Sequence, residues 1–167
     1  MSRGTTLRQA VRDGKVNGLY RVEFVNRPFN VVAITNGVGV GTLVIDDLPS
    51  KFVQIFGVRA SIKFEKQDAN LTATFAGVWS LGTAPAAVDA TLTGTEADLI
   101  ASQAFTAVAG VFTGTPTPAL PARVTGLWAT TDEMNLNLVV TPETGIVDGS
   151  TAVVRASGFV DFNLAMW

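Results

Sequence analysis

The chain has 167 residues, 47% hydrophobic and 16% charged, with a formal net charge of −2. So apolar a chain can bury a core large enough to offset its ordering entropy, which excludes a disordered polymer, and its aperiodic glycines exclude a collagen-like repeat. It contains no cysteine and no histidine. That removes disulfides, thiolate metal sites, the commonest general base and the commonest transition-metal ligand, so no enzymatic activity and no cofactor are expected.

Charge is unevenly spread. Residues 1–28 hold Arg3, Arg8, Arg12, Lys15, Arg21 and Arg27 against Asp13 and Glu23, whereas the remainder holds six basic and twelve acidic residues. A basic leading segment on an acidic body can dock onto an acidic surface. The acidic body argues against a nucleic-acid partner. No apolar run approaches the roughly 18 residues of a membrane span. Arg8, Arg12 and Asp13 interrupt any signal-peptide core. Cytosolic synthesis with no membrane partner is the expectation.

In chain order, Thr6 and Gln9 have capping-box spacing, and Leu7, Ala10 and Val11 share one helical face before Gly14. Residues 1–18 therefore read as a basic arm with a short helix, and 19–167 as a single β-sandwich domain. Residues 19–25 alternate, with Tyr20, Val22 and Phe24 opposed to Arg21 and Glu23, and Pro28 is expected to end that strand. Residues 30–34 and 40–45 flank Asn36-Gly37, a hairpin signature. Gly37, Gly39 and Gly41 read as turn glycines, because the helix a dinucleotide loop requires is missing.

Residues 52–66 place Phe56, Val58, Ala60, Ile62 and Phe64 on one face and Arg59, Ser61, Lys63 and Glu65 on the other. Such length predicts a bend near Gly57 or a strand crossing between sheets. Residues 71–81 continue as strand, and 91–98 read as one helical turn capped by Thr93 and Glu96. The prolines of Thr113-Gly114-Thr115-Pro116-Thr117-Pro118 predict a loop there. Met134, Leu136, Leu138 and Val140 alternate with Asn135 and Asn137, and residues 151–166 form the strongest strand pattern in the chain. Eight to ten short strands with Gly/Thr/Pro turns predict an all-β, antiparallel, jelly-roll-like sandwich.

Asp46-Asp47 and Asp132-Glu133 are the only adjacent carboxylates. Calcium ligands and a glycosidase pair are the functional readings, but neighbours in an extended chain point to opposite faces, so solvated strand ends are the preferred one and no metal is expected. Trp79, Trp128 and Trp167 read as core or subunit-interface residues, with carbohydrate stacking as the alternative.

From Leu71 onward the chain resembles sandwich-type virion proteins of tailed bacteriophages. The resemblance rests on Phe75-Ala76-Gly77-Val78-Trp79-Ser80-Leu81-Gly82-Thr83-Ala84, on Ala90-Thr91-Leu92-Thr93-Gly94-Thr95-Glu96-Ala97-Asp98-Leu99-Ile100, on Leu136-Asn137-Leu138 and on the closing strand. It implies a capsid decoration (cement) protein: a homotrimer on the virion surface that binds the major capsid protein and stabilises the shell. Arg3, Arg8, Arg12 and Lys15 are the candidate capsid-binding residues. The alternative is a receptor- or glycan-binding virion module using Trp79 or Trp128.

Overall fold

The computed structural model describes residues 16–35, 37–47, 53–86, 91–108, 110–114, 133–141 and 146–166. Among the described residues eight strands follow one another: β1 (Val16–Thr35), β2 (Val38–Asp47), β3 (Val53–Lys66), β4 (Ala76–Gly82), β5 (Ile100–Thr106), β6 (Val111–Gly114), β7 (Glu133–Val140) and β8 (Thr151–Met166). All pairings are antiparallel, in the order β5-β4-β7-β2-β1-β8-β3-β6.

That ladder folds over on itself where β1 meets β2. Phe64 on β3 packs 6.5 Å from Trp79 on β4 and 5.9 Å from Phe105 on β5, so β1-β8-β3-β6 and β2-β7-β4-β5 face each other across one core. Two four-stranded antiparallel layers in these orders are a jelly roll, and the expected fold class holds.

β8 is the centre of the first layer. It pairs with β1 over nearly its whole length on one side and with β3 on the other. Its inward residues Ala152, Val154, Ala156, Val160 and Phe162 are wholly buried. Gly158 lets β3 come close: a Cβ there would lie 2.0 Å from the Ser61 carbonyl oxygen. The bend expected near Gly57 is present as a register shift between Ile55 and Gly57.

Pro28 does not end its strand. β1 continues through it, with a register shift between Phe24 and Arg27 and Asn26 at φ 51. Among the described residues β2 pairs with β1 only over Val31–Thr35. At Pro28 the far side of β1 is therefore a sheet edge, where a missing N–H interrupts no ladder. The Asn26 amide donates to Ser157 Oγ at 2.8 Å, which anchors the irregularity to β8.

The hairpin turn is where it was expected, with Gly37 at φ 75. Gly39 and Gly41, however, are not turn residues; they lie within β2, paired with Ala33 and Val31. The strand expected over 71–81 is shorter. Leu71 forms an isolated bridge to Ile146, the backbone turns, and the strand starts at Ala76. Leu71 and Phe75 are both wholly buried, so the apolar spacing was real but spans a turn. Thr113 and Gly114, expected to open a loop, instead pair with Lys63 and Ile62; the rest of that expected loop lies outside the described residues.

The second layer differs from its expected pattern in one decisive way. Alternation along β7 predicts a wet face carrying Asn135 and Asn137, yet these are 1% and 0% exposed. For Asn137, residues 84–86 and 96 of the β4–β5 connection account for this. Asn137 Nδ2 donates to the carbonyls of Ala84 and Glu96, both at 2.9 Å. Its Oδ1 accepts from Thr42 Oγ1 and from the Ala86 amide, both at 2.8 Å. Ser80 Oγ donates to the Glu96 carbonyl at 2.7 Å. The expected capped turn is a 3-10 helix at Gly94–Glu96, with the Thr93 amide donating to Glu96 Oε2. Beside this polar hub Leu92 packs on Val40 and Val139 to form a second, small core.

Candidate interaction surface

With one layer covered by its own chain, the outer face of β1-β8-β3 is the sheet face left open among the described residues. Register assembles its central feature. On β8, Asp161 stands opposite Arg21 of β1 on one side and Arg59 of β3 on the other. Arg21 donates from Nε to Asp161 Oδ1 at 2.5 Å and from Nη2 to Oδ2 at 2.8 Å. Arg59 Nη2 adds a third bond to Oδ2 at 3.2 Å. Both guanidinium groups lie over the Phe159 ring, at 4.0 and 5.8 Å from its centroid, within cation–π range.

The carboxylate is buried while its partners reach solvent: side-chain exposure is 5% for Asp161, 40% for Arg21 and 63% for Arg59. One buried anion thus holds two cations side by side on this face. Arg59 uses a single N–H in this contact, and among the described residues no further hydrogen bond engages its fork of donors, which suits carboxylate or phosphate oxygens. Glu23, Lys63, Glu65 and Arg155 lie on the same face, with Lys63 Nζ 2.8 Å from Glu65.

Hydrogen bonding from Arg21 holds the Asp161 carboxyl below its ordinary range despite the opposing effect of burial, and the charges of Arg21 and Arg59 add to the lowering. A depressed carboxylate contributes stability above about pH 4, and this is lost as pH falls through its folded-state value. Asp161→Asn should therefore lower Tm by a few degrees at pH 7. The gap between parent and variant should narrow below pH 4, as read from urea unfolding across the acid range.

No family model matches the chain, and no curated protein matches it. Among solved structures it is similar to a chain of infectious bursal disease virus Gx strain, at 12% identity and TM-score 0.37, covering 92% of this chain. This chain spans a third of that one, 33%. It is also similar to a chain of Mud crab tombus-like virus, at 14% identity and TM-score 0.35, covering 95% of this chain and 92% of that one. A third likeness is to a semi-empty VLP of the giant freshwater prawn Macrobrachium rosenbergii nodavirus, at 14% identity and TM-score 0.41, covering 98% and 89%. At such identities and scores these are likenesses only. The jelly roll rests on the strand pairings.

Of the residues singled out from sequence, Arg3, Arg8, Arg12, Lys15, Trp128 and Trp167 lie outside the described residues. Trp79 is 1% exposed and meets Phe64 edge-on. It is a core residue, with no ring face open to a sugar or a second subunit. The Arg21–Asp161–Arg59 cluster went unrecognised in sequence. Each residue was visible as a polar position on an alternating strand, but their partnership depends on a register joining positions 140 apart.

Proposed function

We propose that this protein is a non-catalytic bacteriophage virion component that binds the outside of the capsid shell as a homotrimer and stabilises it, with the major capsid protein as its partner. The observation that supports adhesion is the unequal treatment of the two layers. One is covered by the chain's own β4–β5 connection through Asn137, while the other presents two arginines fixed by Asp161. A rigid surface binds without losing conformational freedom on contact. The resemblance of residues 71–167 to phage virion proteins points the same way. A protein that binds only the assembled shell shifts the equilibrium toward assembly, and attachment at several points strengthens this without stronger single contacts.

In this reading the basic residues Arg3, Arg8, Arg12 and Lys15 grip acidic shell surface. Removing residues 1–15 spares β1, which starts at Val16. The truncated chain is expected to keep its β-sheet circular dichroism and Tm but to stop co-sedimenting with capsid shells. Undiminished co-sedimentation would reject the arm as the anchor. Failure of the full chain to co-sediment, or its location on tails in labelled virion images, would reject decoration itself.

A further inference from the structure

Asp161 sits between two arginines that it engages unequally. Arg21 commits Nε and Nη2 to the carboxylate, and its Nη1 lies 3.9 Å from Glu23. Arg59 commits one N–H, at 3.2 Å, although its side chain is 63% exposed. A guanidinium carries five N–H donors in a planar fork, so Arg59 presents most of its fork to solvent. One carboxylate cannot neutralise two guanidinium groups. The cluster therefore keeps a local positive charge on a chain whose formal net charge is −2.

Both cations are also fixed before any partner arrives. Asp161, itself 4% exposed, holds them from below, and the Phe159 ring backs both guanidinium groups. Side chains already fixed lose little freedom on contact, and a guanidinium fork matches the two oxygens of a carboxylate. Nucleic acid, by contrast, gains its affinity from many phosphates at once. Here Glu23 and Glu65 share the face and would meet the neighbouring phosphates, while Lys63 is already engaged by Glu65 at 2.8 Å. A partner that brings one acidic side chain to the cluster meets no such opposition.

We propose that the Arg21–Asp161–Arg59 cluster seats an Asp or Glu side chain of a protein partner, with Arg59 gripping the carboxylate and Asp161 positioning the grip. This rests on the shell attachment proposed above and deepens it: the β1-β8-β3 face supplies a contact separate from residues 1–15, and its counterpart is acidic. Two contacts made by one molecule reinforce each other, so loss of either weakens attachment.

Two measurements on the full chain test the site. In co-sedimentation with capsid shells, Arg59→Ala should weaken binding about tenfold, and Arg59→Glu more. Arg59→Lys should recover only part of the loss, because an ammonium keeps the charge without the fork. Tm should change little in Arg59→Ala, since Asp161 retains both bonds from Arg21. In NMR titrations, a polyglutamate peptide should shift the Nε–H signal of Arg59, with the effect fading as salt rises, and polyglutamine should not. Parental shell binding by Arg59→Ala and Arg59→Glu would overturn the site, as would an Arg59 signal indifferent to polyglutamate. A stronger response to a single-stranded oligonucleotide would assign the cluster to phosphate, and loss of self-association in Arg59→Glu would assign it to a second copy; either overturns the proposal. If the parent chain itself fails to co-sediment, shell attachment falls, and the polyglutamate titration alone decides the site.

Discussion

Asn137→Leu is expected to destabilise the protein by about 3–5 kcal/mol and to loosen one segment before the rest. Four hydrogen bonds meet on this wholly buried side chain, from Thr42 and the Ala86 amide and to the carbonyls of Ala84 and Glu96. Each net bond contributes about 1 kcal/mol, and a buried group left without a partner costs about 1–3 kcal/mol more. Leucine fills the space yet offers nothing to those carbonyls. Ser80 and Thr42 still contact the Glu96 carbonyl and the Ala86 amide, which keeps the loss below the sum of four orphaned groups. Hydrogen exchange gives the specific readout. The Ala84 and Ala86 amides should exchange much faster in the variant, while β8 amides change only as global stability changes. Unchanged exchange at these two amides would mean that the covering segment is held by Leu92 and its apolar neighbours instead.

Phe64→Ala should produce a loss of similar size by another route. The ring is wholly buried and touches Phe29 at 6.3 Å, Trp79 at 6.5 Å and Phe105 at 5.9 Å, with Phe105 in turn 5.5 Å from Phe75. It is the side chain through which the two layers interlock. Truncation removes transfer energy and opens a cavity that rings fixed on three strands and a turn can only partly fill. The expected cost is about 3–5 kcal/mol, or a fall of about 10 °C in Tm. Here the exchange protection of both layers should fall together. A thermal shift under about 2 °C would show that the neighbouring rings close the gap.

These two residues also mark where the sequence could and could not be read. Phe64 lies in a clean alternation, and its inward orientation follows from period-two patterning alone. The same logic located β8, the bend near Gly57, the Gly37 turn and the Thr93–Glu96 cap, all of them consequences of residues close together in the chain. Asn137 also alternates with apolar neighbours, but period two identifies only which face a residue is on, never what covers that face. Its burial depends on a connection some forty residues earlier folding back over the sheet. Pro28 misled for a related reason: its missing N–H ends a strand paired on both sides, but β1 is an edge there, and edge status belongs to strand order. Asp161 and its two arginines are products of register. No local pattern encodes them.

The pairing of Val16 with Met166 has a geometric consequence. Entry to β1 and exit from β8 sit side by side at one pole of the sandwich, the pole from which β2 leaves and β3 returns. The opposite tips, which carry Gly37, Gly110 and Gly149, point away from it. A surface gripping the sandwich at this strand pair would thus meet the pole of Val16, Val53 and Met166, with the glycine-bearing tips on the far side.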